Sequence, residues 1–189
     1  MTASTIVEEP GVGRVEVFPL PTDEAFLFAV LKDVFENWWD QVVFGTLIQG
    51  AVFEIHAPNA PRKVGLLDGY LTVDFGAWHF HVCIGENKGT RRSPVDAEMA
   101  RIRRTGRAEM VRVLAAEDRP RGWQLRLFNG QGENQLTVFF PHPFLDPGDR
   151  IRREADWSRL TMWDTFRQRY LGLPPDPRDR QAHGFPCGG

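Results

Sequence analysis

The residues best suited to chemistry sit in one stretch, Gly76-Ala77-Trp78-His79-Phe80-His81-Val82-Cys83-Ile84-Gly85, with two of the chain's five histidines and one of its two cysteines. In an extended strand the period of two sends His79, His81 and Cys83 to one face and Trp78, Phe80, Val82 and Ile84 to the other. One face is then oily and the other is a row of groups that can ligate metal or move protons. Neutral imidazoles two residues apart on a strand point the same way and can share one ion, with Zn or Fe as the natural choices. A third ligand has to come from a neighbouring strand, where Glu54, His56 and Cys83 are the candidates. Three protein ligands and one open position form the catalytic pattern for such a metal. The metal set expected from sequence is therefore His79, His81 and His56.

The same residues suit chemistry without metal. Glu54 beside His79 or His81 makes a general acid and base pair. Arg126, with Tyr70, can grip a substrate carboxylate, because a guanidinium binds carboxylates through two parallel hydrogen bonds. The expected catalytic set is Glu54, His79, His81 and Arg126. Histidines that merely satisfy hydrogen bonds on a half-wet sheet face would give the same pattern. Cys83, between Val82 and Ile84, reads as an inert core thiol. His183 and Cys187 read either as a terminal metal clip or as part of a loose ending. The Gly-rich run Asn129-Gly130-Gln131-Gly132 lacks the helix start and lysine of a phosphate cradle, so it reads as a hairpin turn.

The elements that must position these residues follow from periodicity. Residues 1–12 read as a flexible N-terminus. Arg14 to Leu20 alternates as a strand, and Thr22 caps a helix whose stripe is Phe26, Leu27, Val30, Leu31, Val34, Phe35 and Trp38. From Gln41 to Ile84 the pattern is strand-like, with breaks near Pro58 and Gly76, which predicts an antiparallel meander. Its polar face would gather Glu54, His56, Tyr70, Thr72, His79, His81 and Cys83. Ser93 and Pro94 predict the start of a second helix reaching about Glu117, with Met99, Ile102, Met110 and Val113 inward and arginines outward. Trp123–Phe128 and Gln135–Phe140 predict a hairpin. A last helix is predicted from about Glu154 to Leu171, closed by Gly172 and Pro174. The order β-α-β-β-β-β-α-β-β-α predicts an α+β fold: a mostly antiparallel sheet with helices on one face, arranged in a ferredoxin-like or helix-grip-like way. Residues 13–173 form one predicted domain, and residues 174–189 a Pro/Gly-rich tail.

Composition bounds the partners. The chain has 189 residues, of which 42% are hydrophobic and 25% charged, in the range of ordinary packed domains. A net charge of -2 gives no general basic face for nucleic acid. Two distant cysteines make no disulfide framework, and no secretory leader or membrane-length apolar run is read. Those features set the expectation of a cytoplasmic protein with no nucleic-acid or membrane partner. Trp38 and Trp39 serve either the core or a homodimer contact. The 14 Phe and 6 Trp supply core area and also suit a pocket for a flat molecule.

The function expected from these residues is a small soluble enzyme with a His-centred site, able to use a divalent metal and acting on a small polar or anionic substrate. The first alternative is a haem- or tetrapyrrole-binding or chelatase-type protein, with histidines as axial ligands, aromatics for the macrocycle and arginines for propionates. The second is an interaction module without chemistry.

Overall fold

Strands dominate the chain in the order that the alternating stretches demand. The computed structural model describes residues 4–185. In chain order the elements are β1 (Thr5–Glu9), β2 (Gly13–Leu20), α1 (Glu24–Asn37), β3 (Val43–Gly45), β4 (Leu47–Ile48), β5 (Ala51–Val52), β6 (Ile55–His56), β7 (Lys63–Leu67), β8 (Tyr70–Asp74), β9 (His79–Cys83), β10 (Gly89–Thr90), β11 (Ser93–Pro94), α2 (Ala97–Arg103), β12 (Thr105–Leu114), β13 (Pro120–Asn129), β14 (Asn134–Phe139) and α3 (Thr161–Phe166). A seven-stranded sheet runs β1-β2-β12-β13-β14-β3-β6, and a three-stranded sheet runs β7-β8-β9. Mixed α+β with mostly antiparallel sheets is the observed class.

The chain divides into two compact units where composition reads as one domain. Unit 1 holds residues 1–19, 109–125 and 139–189, and unit 2 holds 20–108 and 126–138. In unit 2, Asp23 caps α1 by accepting from the Phe26 N–H at 2.9 Å, one residue later than the threonine expected to do so. Leu27, Val30, Leu31, Val34 and Phe35 are all buried along its inner stripe. Between the expected breaks near Pro58 and Gly76 the chain makes a further turn and forms the β7–β8 hairpin: Asp68 and Gly69 both take positive φ, 49° and 79°. That pair of left-handed residues is what a tight two-residue turn requires, and glycine accepts it without strain. Leu71, Val73 and Phe75 are buried, as the alternation of β8 predicts.

The second helix is a correction. Only Ala97–Arg103 is helical, capped by Asp96, and residues 105–114 are a ten-residue strand. Met99 is 39% exposed, whereas nearly all of β12 from Ala108 to Leu114 is buried on both faces. A strand covered on both sides carries no alternation, so its apolar residues fell on helical spacing by coincidence. The last predicted helix is also shorter. A 3-10 turn at Trp157–Leu160 leads into α3, and a π turn at Arg167–Leu171 ends at Gly172 in the left-handed conformation, φ 67°.

In unit 1 the described parts of both predicted loose ends, residues 4–12 and 174–185, carry regular elements. β1 pairs with β2 from Thr5↔Val17 to Glu9↔Gly13. The tail places a 3-10 turn, Pro177–Gln181, in the core of the unit through Asp179. Asp179 and Arg112 are both fully buried. Asp179 Oδ1 lies 2.8 Å from Arg112 Nε, and Oδ2 accepts from Arg112 Nη2 at 3.0 Å. Trp123 Nε1 and Trp163 Nε1 donate to its two oxygens, each at 2.8 Å. Glu16 and Asp176 also accept from Arg112, each at 2.8 Å. Burial opposes the Arg112 charge, but Asp179, Glu16 and Asp176 outweigh it and raise its pKa. His183 hydrogen-bonds Arg119, and Cys187 lies outside the described residues.

Two outcomes follow from unit 1. Asp179→Ala strips Arg112 and two indoles of a shared partner, and chemical denaturation is expected to show about 3–5 kcal/mol of lost stability. A loss below about 1 kcal/mol would mean that the cluster holds nothing together. His142, also buried, accepts from the Phe144 N–H at 3.1 Å and pairs through Nε2 with the Arg121 carbonyl at 3.1 Å. Burial pushes its pKa below the ordinary 6.5. The unfolded chain therefore takes up the proton first. Stability present above about pH 6.5 is lost as pH falls, at no more than about 1.4 kcal/mol per pH unit, until the folded imidazole titrates. The difference in unfolding free energy between wild type and His142→Gln, measured from pH 8 to pH 5, is expected to carry this slope.

Candidate aromatic cavity beside the histidine strand

Unit 2 contains a cavity of about 260 Å³. Phe44 and Gly45 of β3, Phe53 and Ile55, Trp78, and Phe80 of β9 form much of its wall, with His81 and Gln135 among the other lining residues. The rings are packed against each other, with centroid separations of 5.4 Å for Phe44–Phe80 and 6.2 Å for Phe44–Trp78. Phe35 of α1 backs them, 5.0 Å from Phe44 and 5.3 Å from Phe80. Such edge-on and tilted pairs each contribute roughly 0.5–1.5 kcal/mol beyond burial, so the wall is stiff.

Two local devices hold the cavity open. A Cβ built on Gly45 would fall 1.8 Å from the Phe53 carbonyl oxygen, so only glycine lets these two backbones approach. The Phe53 N–H then donates to the Thr46 carbonyl at 3.1 Å. The Leu47 N–H donates to Asn134 Oδ1 at 2.9 Å, and Asn134 Nδ2 donates to Thr137 Oγ1 at 3.0 Å, anchoring the β4–β5 hairpin to β14. Ile48, Val52 and Phe53 stand exposed around that hairpin, each more than half accessible.

The histidine strand has the alternation that its sequence predicts. Val82 is buried and Phe80 half-buried, whereas His79 and His81 are exposed. The two imidazole centroids are 5.0 Å apart, with rings at 70°. Thr72, directly opposite His81 on β8, pairs with its Nδ1 at 2.7 Å, and Asp74 stands opposite His79. Cys83 is buried and its thiol donates to the Gly85 carbonyl at 3.5 Å. Burial pushes that thiol's pKa up, so it stays protonated and unreactive.

The other expected site residues are dispersed. His56 belongs to β6, opposite Val43, in the seven-stranded sheet, while His79 and His81 belong to the three-stranded one. The single polar face expected to carry all of them does not form. Glu54 and His56 are exposed and flank Ile55 at the cavity wall. Among the described residues, no group of three or more His, Cys, Asp or Glu side chains is arranged to hold a metal ion. Arg126 is buried in β13, its guanidinium 5.6 Å from the Phe128 ring, and does not line the cavity. A buried guanidinium in that position is not presented to a substrate carboxylate in solvent. What sequence reasoning missed is the cavity itself. Its signal was the spacing Trp78-x-Phe80 together with isolated Phe44 and Phe53, which only the fold brings together.

A family model described as "Family of unknown function (DUF7676)" matches residues 4–172. The chain belongs to this family. No curated protein matches it. In this DUF7676 chain the cavity wall, His79 and His81 all fall inside the matched residues, whereas Asp176 and Asp179 lie beyond them. Among the described residues, no helix is long and apolar enough to cross a membrane.

Proposed function

We propose that unit 2 binds a small, largely apolar molecule, of about one ring, in the aromatic cavity. The observation that carries this reading is a cavity of about 260 Å³ whose wall is mostly aromatic and aliphatic. Ligand sites are typically concave, apolar and lined by a few placed polar groups, and most fall between about 300 and 1,000 Å³. This one lies just below that range, which favours a single ring over the macrocycle of a haem or other tetrapyrrole. Apolar cavities of this size can take up small aromatic molecules. The strand edge at His81 supplies the polar groups of the wall, since the Gln135 amide is already bonded to Thr105, Cys83 and Arg103.

Dialysed protein titrated with toluene is expected to show saturable binding, read as a change in Trp78 emission. Thr46→Trp, which places a large ring at a half-buried position of the wall, is expected to lower the affinity at least tenfold. Absence of toluene binding to the folded wild type would refute this reading.

A second reading rests on a different observation, the 5.0 Å approach of His79 and His81 with Nδ1 of His81 held by Thr72. On this reading the exposed pair performs acid and base chemistry on a small polar substrate, or clamps one Zn or Fe ion whose remaining positions are filled by water or substrate. Elemental analysis and zinc titration are expected to give one ion per chain in wild type and none in the His79→Ala/His81→Ala double variant. Equal zinc uptake by both would exclude the clamp.

A further inference from the structure

The strand that walls the cavity also ends its sheet. β9 pairs with β8 on one side only. The Phe75 N–H donates to the Trp78 carbonyl at 3.0 Å, which fixes the phase of the ladder. Phe80 and Val82, opposite Val73 and Leu71, therefore share main-chain bonds with β8. The main-chain N–H and C=O groups of His79, His81 and Cys83 turn the other way. At Cys83 the outward carbonyl is capped, accepting from Thr105 Oγ1 at 3.1 Å and Gln135 Nε2 at 3.3 Å. Among the described residues, no hydrogen bond reaches the outward main-chain groups of His79 or His81. His81 nevertheless lines the cavity, between Phe80 and Val82. Its ring is engaged by Thr72 on the far face, so its contribution to the wall is the strand edge.

An apolar molecule covering that edge would strip water from a donor and an acceptor and pair with neither. A peptide amide supplies both partners at once. We propose that an extended peptide docks along β9 as an added strand, bonding to the main chain of His81 and lodging one apolar side chain in the aromatic cavity. This rests on the cavity's taking an apolar group, as proposed above. Strand addition of this kind draws affinity from main-chain bonds and specificity from pockets for alternate side chains. The peptide residue opposite His81 turns its side chain to the histidine face, so the next residue along is the one that enters the cavity. Exposed Ile48, Val52, Phe53 and Ile55 offer apolar surface to flanking residues.

The probe is an acetylated and amidated alanine–phenylalanine–alanine tripeptide, compared with toluene, which carries the same ring and no amide. The tripeptide is expected to bind at least tenfold more tightly than toluene, and its counterpart N-methylated at the alanines to lose that gain. His81→Pro removes the outward N–H from an edge position, where proline is tolerated. His81→Ala removes the imidazole and keeps the N–H. Measured against the toluene affinity of the same variant, tripeptide affinity is expected to fall at least tenfold in His81→Pro and to persist in His81→Ala. If the tripeptide and toluene bind alike in wild type, the strand-addition proposal is wrong and the cavity reading stands. Failure of both probes sinks the two together. Should His81→Pro not fold, by circular dichroism, the N-methylated tripeptide decides alone.

Discussion

Burying Arg112 is the constraint around which unit 1 is built. A guanidinium removed from water costs several kcal/mol unless carboxylates and hydrogen bonds replace its solvation. Arg112 is fully buried, so Glu16 from β2 and Asp176 and Asp179 from the C-terminal segment must come to it. Asp179 is equally buried and needs its own partners, which explains why the indoles of Trp123 and Trp163 converge on it. The segment carrying Asp176 and Asp179 is thereby made a structural part of unit 1. Pro174 and the later prolines and glycines break helix, but they do not loosen a segment that supplies half of a buried ion pair.

Unit 2 depends on an apolar constraint. Phe35, Phe44, Phe75, Trp78 and Phe80 form a continuous set of ring contacts, with Phe75 and Trp78 only 4.6 Å apart across the Gly76-Ala77 turn. Rings of this size rarely fill space without gaps unless neighbours of matching shape are present. At Phe53 the neighbour is instead a backbone brought close by Gly45, and the space left beside Phe44 and Phe80 is the cavity. The aromatic excess visible in composition is thus partly core and partly cavity wall.

How much of this was legible in the sequence depended on whether one face of an element stayed wet. α1, β8 and β9 each bury mainly one side, and their periodicity gave the right element and the right inward residues. The β13–β14 hairpin, where residues 125–127 and 136–138 are buried in succession, was legible from its Gly-rich turn instead. β12 is covered on both sides and was read as a helix, because Met110 and Val113 carry no period-two signal when Val111 and Arg112 are buried as well. The pairing of His79 with His81 was local and could be read directly. The grouping of Glu54, His56 and Arg126 with them required knowing which strands adjoin. β6 and β9 belong to different sheets, and short loops alone cannot reveal that. Arg112 and Asp179, 67 residues apart in the chain, offered no pattern at all.

The two chemistries of β9 are divided by the geometry of an extended chain. Successive side chains leave opposite faces, so a group seated against Phe80 and Val82 has the strand itself between it and the imidazoles of His79 and His81. The only part of His81 that both sides share is its main chain at the free edge. A molecule confined to the cavity therefore meets an amide there, and the Thr72-bound ring is not within its reach. For the imidazoles to act on a cavity-bound molecule, that molecule must extend past the edge and turn onto the wet face. A ligand of one ring cannot do so, whereas an extended chain can, because alternate residues of an added strand face the two sides in turn. The cavity and the histidine pair are thus separable by size of ligand: a small ring engages the first alone, and only a longer, strand-like molecule engages both.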